Sequence, residues 1–181
     1  YGLNERLITK ANEDGIDLLI TCDNGIAAYK QIEYAKQLGI DVIVTDHHEV
    51  PYELICGEKK YIIPPADAVV DQKQPECTYP FKELCGALVA YKLIDGIYEK
   101  CFIEKSLFLE NNNIVITNKK DEFMMEFMVF AAIATIGDIV DLQGENRTIV
   151  KNGMNYIKKI NNYGLNALID ANELGDRKIS S

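Results

Sequence analysis

Two short apolar runs of the same design set the limits on the fold. Ile16-Asp-Leu-Leu-Ile-Thr21 leads into Cys22-Asp23-Asn24-Gly25, and Ile40-Asp-Val-Ile-Val-Thr45 leads into Asp46-His47-His48. Aliphatic and β-branched residues in runs of this length read as buried strands. Between them, residues 27–38 carry Ala28, Ile32, Ala35 and Leu38 at helical spacing and stop at Gly39. Strand, helix and strand with short connections form a right-handed parallel unit. Such a unit brings Asp23 and Asp46 to one edge of the sheet, beyond the C-terminal ends of the strands, where open parallel sheets bind their ligands.

The rest of the chain extends this pattern. Residues 3–15 predict an amphipathic helix with Leu3, Leu7 and Ala11 on its apolar stripe, closed by Gly15. Residues 49–66 contain Pro51, Pro64 and Pro65 and predict a loop with little regular structure. Ala68-Val-Val-Asp71 predicts a third strand that also ends in an acid, followed by a turn region at 72–82 and a helix over 83–99. Asparagine and lysine clusters in 100–121 suggest a hairpin-like or irregular insertion. Residues 122–136 predict a buried helix built on Phe123, Met124, Phe127, Met128, Phe130, Ala131, Ile133 and Ala134, running into Asp138 and Asp141. Helices near 147–160 and 164–172 close the chain. The expected fold class is α/β, a parallel sheet flanked by helices with a helical C-terminal portion, in one domain over 1–181.

Composition narrows the function. A net charge of −9 argues against a free-standing nucleic-acid binder, which needs a basic surface. It leaves room for a nuclease, where metal ions supply the local positive charge. The five cysteines are odd in number and form no C-x-x-C pair, so they read as reduced thiols. No apolar run nears the roughly 20 residues a membrane span needs, and no leader pattern opens the chain. A cytoplasmic protein is expected. The chain starts at Tyr1 without a Met, which suggests a fragment or a processed product.

His47 and His48 are the only histidines. A carboxylate followed by two imidazoles at a strand end is a concentrated metal- and proton-handling group. Successive residues leaving a strand point in opposite directions, so one imidazole can face a metal and the other a substrate. Asp23 has two readings, a ligand or part of an Asp-Asn-Gly turn capping the next helix. Asp138, beside Gly137 after an apolar helix, is either a metal-bound carboxylate or an N-cap. Gly86 in Leu84-Cys-Gly-Ala87 either lets backbone approach a phosphate or permits close helix packing. Arg147 pairs with a phosphate or with nearby Glu145. Cys85 has no further histidine to activate it as a nucleophile, and the sequence holds no phosphate-binding glycine loop.

Three of these segments, Thr21-Cys-Asp-Asn-Gly-Ile26, Val44-Thr-Asp-His-His-Glu49 and Ile136-Gly-Asp-Ile-Val-Asp-Leu142, resemble successive motifs of the DHH phosphoesterase superfamily. Val69-Val-Asp-Gln-Lys-Gln-Pro75, Tyr79-Pro-Phe-Lys-Glu-Leu-Cys-Gly-Ala87 and Gly144-Glu-Asn-Arg147 resemble its RecJ exonuclease branch. The likeness runs through most of residues 1–160. It implies a DHH-type domain that cleaves single-stranded DNA with 5′ to 3′ polarity, using two Mn2+ or Mg2+ ions, in repair or recombination. It also implies a single-stranded-DNA-binding protein or a helicase as partner. By the same resemblance Asp23, His47 and Asp138 are metal ligands. His48 contacts the scissile phosphate or protonates the leaving group, and Asp46 orients an adjacent imidazole. Asn24, Gly86 and Arg147 are candidate substrate contacts. The family's Asp-x-Asp-Gly motif upstream of Asp23 and its associated C-terminal domain are not found in these residues. The expectation is therefore a partial DHH domain, inactive by itself, from an active nuclease. The alternatives are a phosphodiesterase of short oligonucleotides, cyclic dinucleotides or pyrophosphate, and a non-catalytic DHH-like interaction module.

Overall fold

Strand β1 (Leu18–Ile20) and strand β2 (Asp41–Thr45) flank helix α2 (Tyr29–Gln37), with helix α1 (Glu5–Glu13) ahead of them. This is a computed structural model, and it describes residues 2–110, 120–175, 177 and 179. The chain divides into two units, Tyr1–Ala90 and Tyr91–Ser181. In the first, β1 and β2 pair in parallel with Leu18 opposite Asp41. A third strand, Ala68–Val70, pairs in parallel with the far side of β2, so the expected parallel sheet is present with β2 at its centre. Val42 and Val44 are fully buried and share a core with Ile8, Ile32, Ala35 and Ile40. Helix α2 and the central strand thus bury the apolar faces their spacing predicts.

Helix α1 differs in its face. Leu7 is 56% exposed, and Ile8 takes the core position instead. Asn4 caps the helix by accepting from the Leu7 amide, so the helix begins after Leu3. Leu3 and Ala11 of the predicted stripe still pack against that core.

The loop expected over 49–66 contains a hairpin, β3 (Tyr52–Ile55) and β4 (Glu58–Tyr61), which makes Ala68–Val70 strand β5. Cys56 and Gly57 make its turn with φ of 53° and 86°, the left-handed pair that a two-residue hairpin needs. Every hairpin residue is exposed, so no burial alternation marks it in the sequence. The prolines flank it without entering it.

Helix α3 (Gly86–Glu110) starts three residues later than expected and continues through 100–110, where an irregular insertion was expected. No Gly or Pro stands in Cys101–Glu110 to stop it. Residues 111–119 lie outside the described residues, and α4 (Lys120–Gly137) follows. Helices α5 (Gly144–Tyr156) and α6 (Tyr163–Ala171) complete the second unit. Its core joins Val129, Ile157, Leu165 and Ile169. Along α4, Met124, Val129, Ala131 and Ala132 are buried, but Phe130 and Ile133 of the predicted buried set are exposed. An α4 buried on one side only replaces the expected all-round burial. Among the described residues, no helix is long and apolar enough to cross a membrane.

Candidate metal centre

The ladders of the sheet continue past the ends of the strands and carry the site residues with them. The Asp23 amide donates to the Thr45 carbonyl at 3.1 Å, and the Asp46 amide to the Val70 carbonyl at 3.1 Å. Below them the Thr45 hydroxyl donates to the Thr21 carbonyl at 2.6 Å. Asp23 and Asp46 are therefore neighbours along one sheet edge, as parallel pairing requires. Asp71, next after β5, continues the row.

Asp23 itself has a φ of 61°, a left-handed conformation uncommon outside glycine and concentrated at functional positions. It caps no helix, because α2 begins at Tyr29 with Ala28 in the cap position. The turn it belongs to is held by Asn24, whose side-chain amide donates to the Cys22 carbonyl at 2.9 Å. Gly25 (φ 118°) has no room for a side chain: a β-carbon there would stand 2.8 Å from the Thr21 hydroxyl. The Asn-Gly pair thus shapes the turn, and the Asp23 carboxylate is left over for other work.

That carboxylate meets the imidazoles. Asp23 Oδ1 lies 2.9 Å from His47 Nε2, with His47 almost enclosed and Asp23 half open to solvent. The His47 and His48 rings are 4.5 Å apart between centroids. Ligand atoms of Asp23, His47 and His48 all fall within 4.8 Å of one another. The two imidazoles converge on one spot, instead of pointing apart as strand geometry predicts, because the ladder ends at Asp46 and the His47 amide turns to the Asp46 carboxylate.

Asp46 is the anchor of this turn. It is buried to 1% exposure and uses both oxygens. Oδ2 accepts from the Ile26 amide at 2.9 Å, and Oδ1 accepts from the His47 amide at 2.8 Å. Oδ1 also lies 2.6 Å from His48 Nδ1. Burial works to raise the Asp46 carboxyl, but the Ile26 amide, the His48 ring and the His47 amide together hold it below the ordinary carboxylate range. With Nδ1–H donating to this carboxylate, the lone pair of His48 is on Nε2.

Asp71 is the residue whose importance the sequence understated. It is 3% exposed, and Oδ1 accepts from the Lys73 amide at 2.7 Å. Its Oδ2 is buried without a hydrogen-bond partner among the described residues. Burial pushes its carboxyl up, and the charge of Asp46 adds to the push. Its position after a third strand was the only available signal. Cys22, between the strand and Asp23, is held in the thiol form by burial and by the Asp23 charge, which disfavours it as a nucleophile.

Other candidates take their places as follows. Gly86 opens α3 with its α-carbon against the Asp23 side chain. Asp138 follows the last turn of α4 in the second unit and is exposed. It is not the N-cap of α5, a position that Gln143 takes. Arg147 is exposed on α5, and Glu145 pairs with Lys92 at 2.5 Å instead of with Arg147. All five cysteines are free.

One carboxylate and two imidazoles within 4.8 Å suit a divalent ion such as manganese. The left-handed Asp23 and the absence of a β-carbon at Gly86 give that carboxylate a shaped place. The donor set therefore fits a metal.

Known proteins resemble this chain over most of its length. Among curated proteins, the single-stranded-DNA-specific exonuclease RecJ of Bacillus subtilis is 40% identical over 93% of this chain, which spans 18% of that protein. The RecJ of Escherichia coli is 32% identical over 87% of the chain, which spans 25% of it. The chain thus covers a quarter or less of these relatives. A crystal structure of exonuclease RecJ bound to manganese superposes with a TM-score of 0.69 at 28% identity, covering 99% of this chain and 38% of that one. The manganese complex of Thermus thermophilus RecJ gives 0.65 at 26% identity, over 94% and 22% of the two chains. The family model described as the DHH family, N-terminal domain, matches residues 2–125. With that match covering more than half of the chain, including all three strand-end acids and both histidines, the chain belongs to the DHH family.

Proposed function

We propose that this chain supplies part of the catalytic site of a manganese-dependent exonuclease. The enzyme would remove nucleotides from the 5′ end of single-stranded DNA, in repair or recombination in the cytoplasm. The observation that carries this reading is the convergence of Asp23, His47 and His48 at the end of a parallel sheet. The RecJ likeness over most of the chain supports the choice of substrate. Asp23 and His47 would hold the metal, and the whole enzyme would use two ions. A bound divalent ion supplies an activated water and offsets charge on the phosphate oxygens.

The remaining work falls to the residues themselves. Asp46 holds the turn rigid and fixes the His48 proton on Nδ1. His48 Nε2 is then available to the scissile phosphate, or to carry a proton to the leaving oxygen. Arg147 is retained as a phosphate contact, and a single-stranded-DNA-binding protein or a helicase would present the strand.

The test is digestion of 5′- and 3′-labelled single strands by the full gene product with manganese. Labelled mononucleotides should appear first from the 5′ end. Asp23→Ala and His47→Ala should each lower the rate by ~100-fold or more, and both should weaken manganese binding measured by calorimetry. Faster cleavage of dinucleotides than of long strands would replace the polymer with a short-oligonucleotide substrate. Unchanged manganese-dependent cleavage in either variant would refute the ligand assignment.

A further inference from the structure

Gly86 stands closer to Asp23 than any side chain could. A β-carbon built on Gly86 would lie 2.5 Å from Asp23 Oδ1, 2.6 Å from its Cβ and 2.7 Å from its Cγ. Separations under 3 Å between such atoms do not persist, so one partner must move. Neither has an easy way out. Asp23 already sits in the left-handed region, on a turn tied to the Thr45 carbonyl and shaped by Gly25. Gly86 is the first residue of α3, and the chain leading to it is stitched down. Gln72 donates to the carbonyls of Lys82 at 2.9 Å and Leu84 at 3.2 Å. The Lys82 ammonium donates to the carbonyls of Gln72 at 2.6 Å and Cys77 at 2.7 Å. Leu84 and Cys85, just ahead of the glycine, are buried.

The Asp23 carboxylate is thus confined between two walls, with His47 Nε2 at 2.9 Å on one side and the bare α-carbon of Gly86 on another. We propose that Gly86 is a positioning residue, whose missing side chain sets where the Asp23 carboxylate stands relative to His47. This deepens the metal-dependent reading above and rests on it. The role is separate from packing of α3 against the sheet, because the atoms in the way are those of the ligand side chain itself. It is also separate from contact with a phosphate, because the Gly86 α-carbon faces Asp23.

Two measurements on the full chain test it. The first is a double-mutant cycle by thermal unfolding without metal, using Gly86→Ala and Asp23→Gly. Glycine at 23 keeps the left-handed backbone and removes the three atoms nearest to the new β-carbon. The alanine should lower Tm in the parent chain and have little effect in the Asp23→Gly background. The second is titration with Mn2+ alone, followed by calorimetry and by the electron paramagnetic resonance signal of the free ion. Folded Gly86→Ala should bind at least ~10-fold more weakly, a change that a merely structural glycine would not produce. Equal Tm losses in both backgrounds, or parental Mn2+ affinity in Gly86→Ala, would overturn the proposal. Coupling between 86 and 23 in a parent chain that takes up no Mn2+ would uphold the steric role of Gly86 and count against the metal-dependent reading instead.

Discussion

At the scale of single residues, the acids at the three strand ends differ in how they are satisfied. Asp46 uses both oxygens and gains from being charged. Asp71 is equally buried but leaves Oδ2 without a partner, and its carboxyl is pushed up by burial and by Asp46. A carboxyl whose folded value is raised costs no stability while it is protonated in both states. The cost appears as pH rises through the ordinary carboxylate value, and it is complete above the raised folded value. Asp71→Asn removes that charge and keeps an oxygen for the Lys73 amide. In the metal-free chain it should add about 1 kcal/mol at pH 7. The gain should fade as pH is lowered toward about 4, as read from urea midpoints across this range. A loss at pH 7 would mean that the Asp71 charge is needed in the fold. The order of these acids was legible in the sequence because each follows an apolar run. Their different environments were not, since burial of Oδ2 is set by tertiary packing that a local apolar pattern does not report.

At the scale of elements, legibility followed burial. Strand β2 and helix α2 were readable because each buries apolar residues in one core, whereas β1, with Leu18 and Ile20 exposed, was readable because its run repeats the pattern of β2. The β3–β4 hairpin was hidden because all its residues are exposed, and its signal reduces to the Cys56-Gly57 turn. The convergence of His47 and His48 was hidden for a related reason, since strand periodicity no longer applies after Asp46. Close helix approach is another feature that periodicity does not report. A β-carbon on Gly153 of α5 would overlap the Ala132 methyl of α4 and stand 2.8 Å from the Met128 carbonyl oxygen. Gly153→Ala should therefore destabilise the chain by about 1–3 kcal/mol, although alanine favours an isolated helix. Chemical denaturation measures this directly, and a more stable variant would show that the two helices can part at little cost.

At the scale of the whole molecule, charge decides how the site can meet a polyanion. The net charge is −9, and most of that excess falls in residues 1–90, the unit that carries Asp23, His47 and His48. A strand of DNA approaching this edge without a divalent ion meets carboxylates and is repelled. Bound cations reverse the local sign and leave the distant surface unchanged. Affinity of this chain for single-stranded DNA should therefore be feeble in a chelator and rise when Mn2+ is added. It should also fall only gently with salt, because few phosphates are neutralised and few counterions are released. Fluorescence anisotropy of a 5′-labelled oligonucleotide, titrated at several salt concentrations with and without Mn2+, reads all three properties. Asp23→Ala should remove the Mn2+ response and leave the chelator baseline where it is. Tight binding in chelator with a steep salt slope would point to a basic surface away from the strand ends. In that case the acidic edge would do the chemistry, and the grip on DNA would lie elsewhere.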